Sequence, residues 1–143
     1  MIGVDTSFIV AFEIVSHPEH EHARAFARRY AAEGLGCAPQ VLAECIHIVT
    51  DPRRFELPLS ISDALMRAER WWNAVETTRV LPGPEAVTLF FEWMRYFELG
   101  RKRILDTLLA ATYKAAGISL VVSTNFRDFS LFPGMHPLGP RSS

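Results

Sequence analysis

The apolar positions change period repeatedly along the chain, and each change marks an element. Residues 1–5 form a short apolar run that ends at Asp5, a pattern that predicts a buried strand entering a helix, with Asp5, Thr6 or Ser7 able to cap it. Residues 7–15 are apolar almost all round, as in a buried helix, until Ser16, His17 and Pro18 interrupt them. A second helix is expected over 18–33, with Pro18 in its first turn and Gly34 and Gly36 ending it. A strand follows at 35–38, closed by Pro39, and then a helix over 40–50. The segment 51–55 reads as a loop, 60–73 as a helix capped by Ser60 or Ser62, and 77–81 as a third strand. After the Pro82-Gly83-Pro84 turn, an aromatic-rich helix runs over 84–99 to Gly100, and another over 104–116 to Gly117. Residues 119–123 are a nearly all-apolar fourth strand, and 135–138 a short edge strand. Strands that alternate with helices and are apolar on both faces imply an α/β fold with a parallel sheet covered on both sides.

Length and composition refine this picture. At 143 residues the chain suits one domain, expected over 1–140, with 141–143 as a frayed tail. Hydrophobic residues are 49% and charged residues 22%, enough apolar material for one core. The formal charge is -1, so any nucleic-acid contact has to come from local Arg clusters and bound cations rather than a general basic field. Cys37 and Cys45 lack a C-x-x-C partner and read as reduced core thiols of a cytoplasmic protein. No run approaches the about 18 apolar residues of a membrane span, and the start lacks the basic and apolar regions of a signal peptide.

The candidate chemistry lies in carboxylates. In open parallel sheets, ligands bind beyond the carboxyl ends of the strands. Asp5 closes the first strand, and Thr124, Asn125 and Asp128 follow the fourth. Glu44 shares a helical face with Val41 and Ile48, and Asp106 shares one with Leu109, Ala110 and Tyr113. A carboxylate in an apolar stripe costs several kcal/mol unless it is paired or binds metal. A cap, a salt bridge or a helix dipole explains any one of these residues, but three on separate elements point to a shared site. Massed carboxylates stay ionised at neutral pH only with cations, and an all-oxygen set without Cys or His favours Mg²⁺ or Mn²⁺. Such ions activate water for phosphodiester cleavage. Arg101-Lys102-Arg103 precedes the Asp106 helix, where cations oppose the macrodipole; a phosphate backbone lying there would explain them, and Arg53, Arg54 and Arg127 would extend its track.

These residues also carry a resemblance. Met-Ile-Gly-Val-Asp-Thr-Ser-Phe at the start, Gln40-Val41-Leu42-Ala43-Glu44, the run from Ile104 to Ala111 containing Asp106, and the run from Ser123 to Phe129 resemble the PIN-domain family. Within that family they resemble the VapC-type toxins of bacterial toxin–antitoxin pairs. The loop 51–55 and Pro58-Leu59-Ser60 look like the actinobacterial branch. The resemblance implies a three-layer α/β/α fold and a Mg²⁺- or Mn²⁺-dependent endoribonuclease. It further implies a homodimer neutralised by a VapB-type antitoxin. Carried over by motif, Asp5, Glu44 and Asp106 are metal ligands that orient an attacking water. The family often has an acid where this chain has Asn125, which puts a second ion in doubt. Asp128 is expected to support the ligands or a second ion, with Asn125 as a neutral stand-in. Thr6 and Thr124 would fix a ligand or substrate phosphate, and Arg101 and Arg103 would meet the RNA.

Other signals are set aside. His17, Glu19, His20 and His22 are dense, but are expected at an exposed helix start without a matching ligand set, so no zinc site is assigned. Trp71, Trp72, Phe90, Phe91, Trp93, Tyr96 and Phe97 fall at helical spacing and read as core or dimer interface rather than a base-stacking platform. A phosphatase of the haloacid-dehalogenase type needs an Asp where this chain has Ser7. A non-catalytic module that binds RNA or a partner chain is the remaining alternative.

Overall fold

The structure, a computed structural model, describes residues 1–142. Five strands, β1 (Ile2–Val4), β2 (Leu35–Cys37), β3 (Thr77–Arg79), β4 (Leu120–Val122) and β5 (His136–Leu138), form one parallel sheet in the order β3-β2-β1-β4-β5. Strand order reverses between β1 and β4: the chain first moves outward through β2 to β3, then returns to lay β4 and β5 on the other side of β1.

Of helices α1 (Thr6–Glu13), α2 (His20–Tyr30), α3 (Pro39–Val49) and α4 (Ile61–Asn73), α1 packs against both α2 and α3, and α3 against α4, while α5 (Pro84–Tyr96) and α6 (Ile104–Ala115) pair separately. The result is the expected α/β/α sandwich. Phe8, Ile9 and Ala11 of α1, Phe26 of α2 and Val41 of α3 are buried in the core beside Ile2 and Val4. Phe8 meets Phe26 and Trp71 edge-on, with ring centroids 5.5 and 6.4 Å apart, a favoured aromatic geometry. Ser60 caps α4 by accepting the Asp63 N–H at 3.1 Å, one of the two candidates the sequence offered.

The sixth helix packs unusually close to the sheet. Gly3 and Gly36 are register partners on β1 and β2. A Cβ on Gly3 would lie 2.6 Å from the fully buried ring of Tyr113. The Tyr113 hydroxyl donates to the carbonyl of Val4 at 2.6 Å and accepts the Ala38 N–H at 3.4 Å, so α6 is stitched to the ends of β1 and β2.

Several boundaries differ from expectation. The second helix begins at His20 rather than 18, because His17–Glu19 form a turn closed by the His20 N–H on the His17 carbonyl. The long helix expected to 99 stops at Tyr96. Glu98 adopts φ 50°, and the Leu99 N–H folds back onto the Met94 carbonyl, so the closure does not wait for Gly100. β3 is largely exposed, since it is an edge and needs only one packed face. Arg141 and Ser142, expected in a frayed tail, are tied down: Arg141 pairs with Glu19 at 3.1 Å and Ser142 Oγ accepts the Gly139 N–H. Ser143 lies outside the described residues. Cys37 and Cys45 are free and buried, and burial pushes both thiols up to about 12, which makes them inert. Among the described residues, no helix is long and apolar enough to cross a membrane.

Candidate active site

The reversal between β1 and β4 opens a crevice at the carboxyl ends of these strands, the place where α/β sheets bind ligands. A cavity of about 550 Å³ lies there, lined by Asp5, Thr6, Glu44, Asp106, Thr124 and Asn125 among others. Asp5 follows β1, Glu44 projects from α3, Asp106 sits in the first turn of α6, and Thr124 and Asn125 follow β4. Three separate elements therefore bring three carboxylates to one pocket, and a fourth adds Thr124 and Asn125.

Asp5 occupies the N-cap position of α1 but makes no side-chain cap bond. Its carboxylate instead accepts two hydroxyls on one oxygen, Oδ2: Ser7 Oγ at 2.9 Å and Ser123 Oγ at 2.7 Å. The other oxygen, Oδ1, remains for a ligand. These serines are anchored in turn, Ser7 Oγ accepting the Thr124 N–H at 3.0 Å and Ser123 Oγ the Asn125 N–H at 2.9 Å. This network bridges the gap between β1 and β4 and fixes how Asp5 presents itself. Sequence reasoning did not single out Ser7 or Ser123 for this role; only their positions, two beyond Asp5 and one beyond β4, hinted at it.

Electrostatics keep the cluster under tension. Asp5 is only 7% exposed, and burial raises its pKa against the easing effect of the Ser123 and Ser7 hydroxyls. Burial also raises Glu44, with further pushes from the charges of Asp5 and Asp106. Asp106 is pushed up to about 6, by burial first and then by Asp5, while Arg103 partly offsets the rise. None of the ion pairs among the described residues includes Asp5, Glu44 or Asp106. The salt-bridge explanation of these carboxylates is thereby removed.

The donor set suits a hydrated divalent ion. Among the described residues, no three His, Cys, Asp or Glu side chains close into a cage. Mg²⁺ needs no cage, because it keeps several waters and takes one or two carboxylates. The Thr6 hydroxyl is buried on the pocket lining, close enough to Glu44 to ease the rise of its pKa but without a partner at full hydrogen-bond geometry among the described residues. Asp5, Asp106 and Glu44 would hold the ion, and a bound water would satisfy Thr6.

The remaining candidates separate. Asn125 lines the pocket, whereas Asp128 is exposed in the 3-10 turn Phe126–Phe129, outside the lining, although its charge reaches Asp106. Arg101 is exposed in the 3-10 turn before α6. Arg103 turns inward: it donates to the Asp128 carbonyl, lies 5.9 Å over the Phe132 ring, and has a buried, unpartnered Nε. Neither arginine lines the pocket. Arg54 does, with Phe55, from the 51–55 loop, where Arg53 and Arg54 both pair with Asp51, at 3.4 and 3.6 Å, and Arg127 lies over Phe126. His17, set aside from sequence, also lines the pocket. Its Nδ1 accepts the Glu19 N–H at 3.0 Å, and burial lowers its pKa, which leaves a neutral ring with the proton on Nε2. The turn that carries it was hidden by the expectation that the helix starts at 18.

The carboxylate shifts set a pH dependence. Raised folded-state pKa values mean that the folded protein holds protons more tightly than the unfolded chain. The stability this confers is full below the ordinary carboxylate range and is lost as pH rises, for Asp106 between about 4 and about 6. Two units bound the effect at about 3 kcal/mol; solvent screening of this part-exposed group reduces it to about 1 kcal/mol, or roughly 3–5 °C in Tm. Metal-free protein is expected to melt lower at pH 7.5 than at pH 5.5, and Mg²⁺ to raise Tm more at pH 7.5. Thermal melts with and without chelator measure both, and an equal Mg²⁺ effect at the two pH values would contradict the carboxylate assignment.

Comparison with known proteins agrees with this geometry. The model of the PIN domain family matches residues 2–133. No curated protein matches the sequence. Among solved structures, the chain is similar to VapC20 of Mycobacterium tuberculosis, described as a sarcin-ricin loop cleaving toxin, with TM-score 0.62 and 21% identity over 85% of this chain and 87% of that one. It is similar to VapBC2 of Rickettsia felis, bound to a DNA fragment from its promoter, with TM-score 0.69 and 15% identity over 97% and 98%. It is also similar to FitAcB of Neisseria gonorrhoeae, with TM-score 0.66 and 16% identity over 98% of each chain.

Proposed function

This chain belongs to the PIN domain family, and from that premise we propose that it is a Mg²⁺- or Mn²⁺-dependent endoribonuclease, the VapC-type toxin of a toxin–antitoxin pair. The observation that carries the reading is the convergence of Asp5, Glu44 and Asp106, without ion-pair partners, in one pocket at the sheet's switch point. A divalent ion bound there supplies charge neutralisation and activation of water for phosphodiester hydrolysis.

The chain's own residues do the rest. Ser7 and Ser123 hold Asp5 by one oxygen, so the other is presented without rotation. Burial raises the pKa values of Glu44 and Asp106, and the charge of Asp5 raises both further, so their negative charge at the pocket wall would be stabilised by a divalent ion held between them. Arg54, paired with Asp51 through Nε, has its terminal nitrogens left for a substrate phosphate at the pocket wall, and the neutral His17 offers a ring N–H. Asn125 brings no charge, which favours a single ion over two.

A VapB-type antitoxin and a second copy of the chain are the proposed partners, and the cytoplasm the proposed location. Exposed apolar residues suit such contacts: Ile61, Leu65 and Met66 on α4, and Phe91 and Tyr96 on α5. The residues of α1, by contrast, are mostly consumed in the core. The test is direct. Purified protein with Mg²⁺ or Mn²⁺ is expected to cut RNA, and chelator to stop it. RNA binding that ignores chelator, with no cleavage of any RNA, would instead identify a binding module.

A further inference from the structure

A second cavity, of about 300 Å³, adjoins the acidic pocket and has no part in the chemistry above. Its lining includes Thr124, Phe126, Gly139, Pro140 and Arg141. Thr124 belongs to both cavities, and the chain then passes through Asn125, in the acidic pocket, to Phe126, in the second one. At 3.8 Å per residue, the two sites lie within a nucleotide's reach of each other.

The chemistry of the second cavity is that of a slot for a flat, uncharged ring. Phe126 is 36% exposed, and Arg127 lies 5.7 Å over its ring. Gly139 abuts one edge of the ring so closely that a Cβ there would be 3.1 Å from Phe126 Cδ1 and 3.2 Å from Cε1. Arg141 closes the cavity, but its guanidinium is already engaged by both oxygens of Glu19, at 3.1 and 3.2 Å. With its charge balanced, the site is a poor phosphate trap. An aromatic plane with a polar mouth suits a base, since stacking on aromatic side chains is sequence-tolerant and needs no net charge.

We propose that this cavity is a nucleobase subsite, which takes the base of a single-stranded RNA nucleotide next to the phosphate held in the acidic pocket. The proposal rests on the ribonuclease reading for its substrate class. Phe126 supplies the stacking face, Gly139 and Pro140 bound the slot, and Thr124 marks the step between the two sites. The subsite would make the enzyme demand an unstacked base beside the scissile bond, and so select loops and single strands over duplex.

The test uses the full chain in Ca²⁺ with a tetraribonucleotide, alongside versions that each lack one base, in NMR titrations that read the Phe126 ring signals and Kd together. The intact tetranucleotide is expected to shift the Phe126 ring upfield. Loss of one particular base is expected to weaken binding about tenfold in the wild type. That loss should have no effect in Phe126→Ala and should regain its effect in Phe126→Trp. A Phe126 ring that does not respond at saturation, or base losses that cost the same with and without Phe126, would overturn the proposal. Cleavage of intact RNA in Mg²⁺ is scored separately. Cutting without base dependence leaves the nuclease standing and removes the subsite, while base-dependent binding without cutting does the reverse.

Discussion

Asp5→Asn is expected to lower RNA cleavage by at least about 10²–10³-fold while leaving the metal-free protein as stable as before, or more so. The two halves of this result have one cause. Asp5 is buried, its pKa is raised, and no cation among the described residues pairs with it. Its charge therefore destabilises the empty fold and has value only when a cation is bound. Asparagine keeps the shape, and its carbonyl oxygen still accepts the Ser7 and Ser123 hydroxyls, but the charge is gone. Cleavage assays and thermal melts in chelator, on the same preparation, read both. A purely structural Asp5 gives the opposite pair: lower Tm with activity that survives in the folded fraction.

The second large effect is expected from packing rather than charge. Gly3→Ala should lower stability by about 3 kcal/mol, or roughly 10 °C in Tm. The added methyl would meet three ring atoms of Tyr113 at 2.6 to 3.0 Å. That ring is wholly buried and tethered by its hydroxyl to the Val4 carbonyl, so it has no room to yield. Displacing α6 from β1 also separates Asp106 from Asp5, and a misplacement of about 1 Å in a catalytic site costs about 10²-fold in rate. Activity should thus fall even at temperatures where the variant is folded. Combining Gly3→Ala with Tyr113→Leu is expected to recover part of the stability, since the two changes share one contact. Strict additivity of the two costs would show that the clash is not the cause.

Much of this architecture was written in local patterns. The apolar strands announced a parallel sheet, and the placement of Asp5, Glu44 and Asp106 on three elements pointed to one pocket, because Asp5 closed the first strand while Glu44 and Asp106 each interrupted an apolar helical face. What stayed hidden depended on contacts between distant segments. Ser7 and Ser123 are unremarkable serines until β4 is laid beside β1. His17 reached the pocket because the chain turns at 17–19 instead of starting a helix there. Arg103 looked like a phosphate contact from its charge, but the nearby Phe132 and the Asp128 carbonyl draw it inward. Asp128 and Asn125 stand three residues apart, and only the 3-10 turn decides which one faces the cavity.

The hydroxyl bridge between Asp5 and Ser123 spans 118 positions of the chain. While the protein is being made, Asp5 and then Glu44 leave the ribosome before Ser123 does. The strand that completes the pocket emerges after all three of the acidic residues that line it. A nascent or truncated chain that ends before β4 thus carries the acidic residues without the partner that orients them. Such a fragment lacks the Ser123 hydroxyl that holds Asp5, so the carboxylate is not fixed until β4 has joined β1.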